Sequence, residues 1–150
     1  MSAAAQRGAG ACRAVPVRPG AMLWCGISST SHLEAWLLDA EKILITGVTG
    51  KIAFPIARAL AATNDVWGAA RLKDPADRRR LVDAGIKPVA LDIAAGDFSC
   101  LPTDFSYVFH TAVDPGADDW TRCVETNAHK SGDLLHHCRA ANGFVFCSTG

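Results

Sequence analysis

Glycines at positions 47 and 50 stand between an apolar run, Ile43-Leu44-Ile45, and an apolar stretch at helical spacing from Ile52 to Leu60. This pattern suits a buried strand that turns sharply into a helix whose N-terminus faces a pyrophosphate. Gly47 permits the tight turn, and Gly50 lets backbone approach phosphate without an intervening Cβ. Ala53, at the third position of the repeat, is small enough for the helix to lie close on the strand. Thr49, Lys51 and Ile52 complete the candidate cradle, because the first amides of a helix have no partner of their own. A strand, turn and helix that use glycine only for the turn would look the same at this short range.

Further polar or small residues fall where later strands should end, which is where ligands bind in open parallel sheets. Arg71 lies about two dozen residues after Gly47, at the place expected for the adenosine ribose. An acidic residue there would favour the 2′-hydroxyl of NAD. Ala70 instead opens space and Arg71 offers a fork of donors suited to a 2′-phosphate, so NADP is the preferred cofactor and NAD the second choice. Asp92 and Ile93 end the next strand, where a carboxylate could meet an adenine amino group and an apolar side chain could cover the ring. Thr111, Ala112 and Val113 follow a fourth strand and would pass under a cofactor. His110 sits among apolar neighbours on that strand and reads as a packing histidine.

The elements that must position these residues alternate from residue 42 onward. Strands are predicted at Lys42–Thr46, Asp65–Ala70, Lys87–Asp92, Phe105–Ala112 and Phe144–Cys147. Helices are predicted at Gly50–Ala62, Asp74–Ala84 and Asp118–Ala140, the last with apolar positions Trp120, Cys123, Val124, Leu134, Leu135 and Cys138. Pro55 is compatible with the first helix because it falls near the first turn. Short apolar strands separated by helices predict an α/β fold: a Rossmann-type doubly wound parallel sheet of about five strands with right-handed crossovers.

The 150 residues carry formal net charge zero and are 49% hydrophobic. That balance gives no electrostatic case for nucleic acid or an anionic membrane. No apolar run approaches the ~20 residues of a membrane span. Six cysteines include no C-x-x-C pair and several lie within apolar elements, which fits free thiols in a cytoplasmic protein. Adjacent His136 and His137 point to different faces of a helix, so no metal site is expected with Cys138. Residues 1–41 differ: the first 21 contain three arginines and no acid, lack periodicity, and read as a disordered extension. Residues 32–41 could add a brief amphipathic helix through Leu33, Trp36, Leu37 and Ala40. The arginines are dispersed and the apolar patch Ala21–Ile27 is short, which argues against a signal peptide.

As an ordered set, residues 42–150 resemble the extended short-chain dehydrogenase/reductase family, also called the NAD-dependent epimerase/dehydratase family. The matching residues are Gly47-x-x-Gly50-x-x-Ala53, Asp92-Ile93, Val108-x-His110-x-Ala112, Asn127, and Phe144-Val-Phe-Cys-Ser148-Thr149-Gly150. The resemblance implies that Asn127 lies near the substrate and that Thr149 is the catalytic hydroxyl. Lys130 departs from the family's usual glycine, and Val113 from a small residue. The family's chemistry needs a Tyr-x-x-x-Lys pair, whose tyrosine is the acid/base at the substrate oxygen. The only tyrosine here, Tyr107, has no lysine at that spacing. The expectation is the NAD(P)-binding portion of a reductase, epimerase or dehydratase, without the substrate lobe and inactive as these 150 residues. Small-molecule substrate would be bound only by a complete protein. A non-catalytic dinucleotide sensor or a non-functional gene fragment are the alternatives. An uncovered fifth strand would leave room for a homodimer.

Overall fold

The computed structural model describes residues 38–114 and 119–147. Strand β1 (Lys42–Thr46) leads through the glycine turn into helix α1 (Ala53–Leu60). Strand β2 (Asp65–Ala70), helix α2 (Pro75–Asp83) and strand β3 (Lys87–Ala90) follow. A 3-10 turn at Ile93–Ala95 precedes strand β4 (Tyr107–His110). Helix α3 (Trp120–Val124), a π-helical segment (Glu125–His129) and helix α4 (Lys130–His137) run on to strand β5 (Gly143–Phe146). The strands form one parallel sheet in the order β3-β2-β1-β4-β5. The expected α/β architecture is therefore present, with each strand end within two residues of its predicted bound.

At β1 the sheet is buried on both faces, as parallel sheets with helical crossovers require, whereas Val145 and Phe146 of the edge strand β5 are exposed. Ile43 and Ile45 of β1 pack with Ala53 and Ala57 of α1 and Leu81 of α2. Leu44, one residue out of phase, packs on the other face with Val108, Phe105, Leu134 and Cys138. Each such apolar side chain fully removed from water contributes roughly 1.5–3 kcal/mol before chain entropy is counted. β1 is thus the strand where the winding changes direction. Its helix lies on one face, and the helical stretch after β4 lies on the other.

Some expectations need correction. The long helix is interrupted by the π segment, in which the Lys130 amide donates back to the Glu125 carbonyl. An extra residue in a turn rotates everything before it by about 100° relative to everything after it. Leu134 and Cys138 are buried as expected, whereas Trp120, expected in the apolar stripe, is 80% exposed. Leu135, in the same predicted stripe, is also exposed. The predicted helix start at residue 118 and Thr149 lie outside the described residues.

Residues 38–41, expected to belong to the N-terminal extension and to a brief helix, are not helical and are tied to the turn between α1 and β2. Asn64 holds them. Its amide nitrogen donates to the carbonyls of Leu38 (2.9 Å) and Leu60 (3.0 Å), and its oxygen accepts from the Glu41 amide at 3.0 Å. One side chain thereby closes the last turn of α1 and sets the entry to β1. Replacing Asn64 by Ala leaves two carbonyls and an amide without these partners. Asn64→Ala is expected to lower the unfolding free energy by about 1–3 kcal/mol, measured by urea denaturation. An unchanged midpoint would show that the two chain segments are held by something else.

Candidate functional site

A cleft of about 430 Å³ opens at the carboxyl ends of β1, β2 and β4. This is the topological switch point of the sheet, where chains leaving neighbouring strands turn to opposite faces. Gly47, with φ +67°, makes the turn out of β1. A Cβ there would lie 2.8 Å from Thr111 Oγ1 and 2.9 Å from the Ala112 nitrogen, so only glycine lets the two strand exits come this close. The Gly50 amide donates to the Gly47 carbonyl at 2.9 Å and is therefore part of the turn, not a free donor. Among the described residues, the amides of Thr49, Lys51 and Ile52 have no hydrogen-bond partner. Helix α1 also lacks a side-chain cap, while α2 and α3 are capped by Asp74 and Asp119.

The structure brings Gly47, Thr49, Gly50, Arg71, Asp92, Ile93, Thr111, Ala112 and Val113 around this one cleft. Lys51 and Ile52 are exposed at the start of α1 and do not line it. Asp92 accepts from the Ala94 amide at 3.1 Å, which fixes the 3-10 turn behind it. Asn127 does not line the cleft. Its oxygen accepts from the Asp114 amide at 2.8 Å and its nitrogen donates to the Asp114 carbonyl at 3.0 Å, so it clasps the loop after β4 from behind. The π segment places Asn127 there and turns its neighbour Thr126 into the cleft lining.

Sequence reasoning missed Lys73, Asp77, Arg122, Asp114 and Thr126, which also line the cleft. Lys73 could have been found from its closeness to Arg71. Arg122 and Asp114 form an ion pair at 3.1 Å across the loop, a contact that no local pattern announces. Leu72 turns the chain after Arg71 in the left-handed region, φ 45°, and its partly buried side chain packs against the core of the α1 and α2 face. Burial of the side chain holds a conformation that an L residue otherwise avoids.

His110 is fully buried, as a packing histidine should be. Its Nδ1 lies 2.6 Å from Thr46 Oγ1 and its Nε2 lies 2.9 Å from Ser131 Oγ. Burial pushes its pKa down from 6.5 to about 4.

Residues 43–150 match the NAD dependent epimerase/dehydratase family. The chain belongs to that family. It is similar to UDP-glucuronic acid 4-epimerase from Bacillus cereus, solved in complex with NAD, at 26% identity and a TM-score of 0.60 over 73% of this chain and 40% of that one. UDP-N-acetylglucosamine 4-epimerase from Methanobrevibacter ruminantium M1 shares the fold at 24% identity and a TM-score of 0.63, over 75% of this chain and 39% of that one. A short-chain type dehydrogenase/reductase from Mycobacterium ulcerans shares it at 22% identity and a TM-score of 0.61, over 74% of this chain and 52% of that one. The chain spans about 40% of the length of the two epimerases. Among curated proteins none matches it. Among the described residues, no helix is long and apolar enough to cross a membrane.

Two outcomes are expected from this geometry. Gly47→Ala adds a Cβ against Thr111 and Ala112 in a left-handed conformation, and should cost about 1–3 kcal/mol of stability. Thermal denaturation checks it, and an unchanged Tm would mean that the two strand exits can part freely. Second, His110 is neutral in both folded and unfolded chains above pH 6.5. Between pH 6.5 and about 4 the unfolded chain takes a proton that the native site refuses, so stability falls as pH is lowered through that window. The loss should reach up to about 3 kcal/mol. The depressed carboxylates of Asp65, Asp97 and Asp104 act lower, below their ordinary value of 3.8. Unfolding free energies measured every half pH unit should slope less in His110→Gln than in the unmutated chain.

Proposed function

We propose that this chain is the dinucleotide-binding portion of an extended short-chain reductase, epimerase or dehydratase, and that it holds NADP in preference to NAD. The observation that carries this reading is the uncapped start of α1. It follows directly on Gly47, Thr49 and Gly50 of the cleft lining, where a Cβ on Gly47 would meet Thr111 and Ala112, and it carries amides with no partner among the described residues. Those features fit a pyrophosphate. The amides of Thr49, Lys51 and Ile52 would donate to it, reinforced by the positive end of the helix dipole. Asp92 would accept from the adenine amino group, with Ile93 against the ring. Thr111, Ala112 and Val113 would form the wall beside the nicotinamide half, steadied from behind by Asn127.

Arg71 supports the NADP preference. It lines the cleft after Ala70, is exposed, and has Lys73 beside it in the lining. Two cations near one corner suit a 2′-phosphate, although Asp77 lines the same region and sets a limit on the net positive potential. When bound, the nicotinamide would supply hydride transfer at a carbinol or carbonyl carbon. The chain's own residues would bind and orient it. Thr149, by its place in the family motif, is proposed to hydrogen-bond the substrate oxygen. These 150 residues hold no Tyr-x-x-x-Lys pair to supply the acid/base, and we propose that they bind cofactor without turnover.

Fluorescence titration of the 150-residue chain with NADPH and NADH tests this reading. NADPH is expected to bind about ten- to a hundredfold more tightly, the scale of a charge-assisted pair to phosphate. Arg71→Ala should remove most of that difference while leaving NADH affinity nearly unchanged. Equal affinity of the unmutated chain for both would remove the role given to Arg71, and binding of neither would remove the proposal itself.

A further inference from the structure

Donor and acceptor accounting around His110 leads beyond packing. Thr46 Oγ1 lies 3.2 Å from the Thr111 amide and 3.3 Å from the Ala112 amide, and accepts from both. A hydroxyl has two acceptor lone pairs and one proton. With both lone pairs engaged, its proton has one place to go, the His110 Nδ1 at 2.6 Å. Nδ1 is then bare, the ring proton sits on Nε2, and Nε2 donates to Ser131 Oγ at 2.9 Å. The Thr111 hydroxyl adds a second latch by donating to the Thr46 carbonyl at 2.7 Å.

We propose that His110 is a positioning residue for the cofactor cleft: as its Nε2–H tautomer it orients the Thr46 hydroxyl so that this oxygen captures the Thr111 and Ala112 amides and holds that wall against Gly47. The proposal rests on the cofactor reading above for its functional meaning, and on the hydrogen bonds alone for its mechanics. A phenylalanine at position 110 could fill the space between Phe144 and Phe146, whose ring centroids lie 6.0 and 5.3 Å from the imidazole. What imidazole adds is direction: an acceptor toward β1 and a donor toward α4. Ser131 is itself buried, so the chain of bonds ties α4 to the cleft wall without solvent.

The same geometry makes the wall sensitive to acid. Protonation would place a hydrogen on Nδ1, facing an oxygen whose lone pairs are both filled, and one of the two wall amides would have to let go. No charge opposes or assists that step among the described residues. β1 presents Thr46 to the ring, β5 presents Phe144 and Phe146, and α4 presents Ser131. The charged neighbours on the helical stretch, Glu125, Lys130 and Asp133, pair with one another. The low pKa of His110 has burial as its cause, in keeping with a ring kept neutral.

The test has three readouts on the full 150-residue chain. Nitrogen-15 spectra of the unmutated protein at pH 7 should show His110 protonated at Nε2 and bare at Nδ1. A ring protonated at Nδ1, or an even mixture, overturns the proposal without any variant having to fold. Hydrogen exchange at the Thr111 and Ala112 amides should be at least about tenfold faster in Thr46→Val, and within about threefold of the unmutated rate in Thr46→Ser. NADPH affinity should follow the same order, falling about tenfold in Thr46→Val and in His110→Phe and recovering in Thr46→Ser. Unchanged exchange in Thr46→Val overturns the proposal. If the unmutated chain binds neither NADPH nor NADH, the cofactor reading fails, while the spectrum and the exchange rates still decide whether His110 positions the wall.

Discussion

The cleft depends on how closely the exit of β1 approaches the exit of β4. Topology opens a crevice at the switch point, because the two chains turn to opposite faces of the sheet. The last ladder positions pair Thr46 with Ala69 on one side and His110 on the other. Beyond Thr46 and His110 no backbone–backbone hydrogen bond joins the exits of β1 and β4 among the described residues, and these two exits would spread. Thr46 prevents that with its hydroxyl and its carbonyl, which together bind the Thr111 amide, the Ala112 amide and the Thr111 hydroxyl. Gly47 makes the approach sterically possible. Polar capture and missing volume are both needed, and they come from two adjacent residues.

Capping shows a second division. Asp74 accepts from the Ala76 amide and Asp119 from the Arg122 amide, each at the start of its helix. Such caps are typically worth about 1 kcal/mol. At α1 the corresponding position is Ile52, which has no side-chain acceptor. A carboxylate there would satisfy the amides and put negative charge at the site proposed for the pyrophosphate. The fold forgoes that stabilisation at the helix that follows directly from the glycine turn lining the cleft. Belonging to a cofactor-dependent family gives this omission a reason that local stability does not.

Most of the fold was legible because its signals are local. The runs Ile43-Leu44-Ile45 and Val108-Phe109 are strands buried on both faces, and the glycine turn, Pro75 behind Asp74 and Gly143 mark boundaries. The misreading of Trp120 has a physical origin in the same locality. A helical stripe can be extrapolated only while the period holds, and the π segment breaks it between residues 125 and 129. Nothing in Glu125-Thr126-Asn127-Ala128-His129 announces that break. Within this segment Asn127 bonds the Asp114 backbone, 13 residues away in sequence on the loop after β4, a contact that no helical period contains.

The site was legible to the same depth. Glycines and strand ends placed nine of the anticipated residues around one cleft, because strand termini in a parallel sheet converge by topology. Asn127 was found by motif, yet its side chain acts on the loop and not in the lining. His110 reads from sequence as a packing residue, and its burial agrees. Its partners Thr46 and Ser131 are 64 and 21 residues away, on another strand and on a helix, so no spacing rule could join them. A sequence pattern can identify a buried polar side chain, but the direction of its hydrogen bonds depends on which lone pairs its neighbours have already filled. In this chain that count begins with two backbone amides at the cleft wall and ends at a serine on α4. The link between core and cleft is therefore set by hydrogen-bond stoichiometry, which becomes visible only when β1, β4 and α4 are all in place.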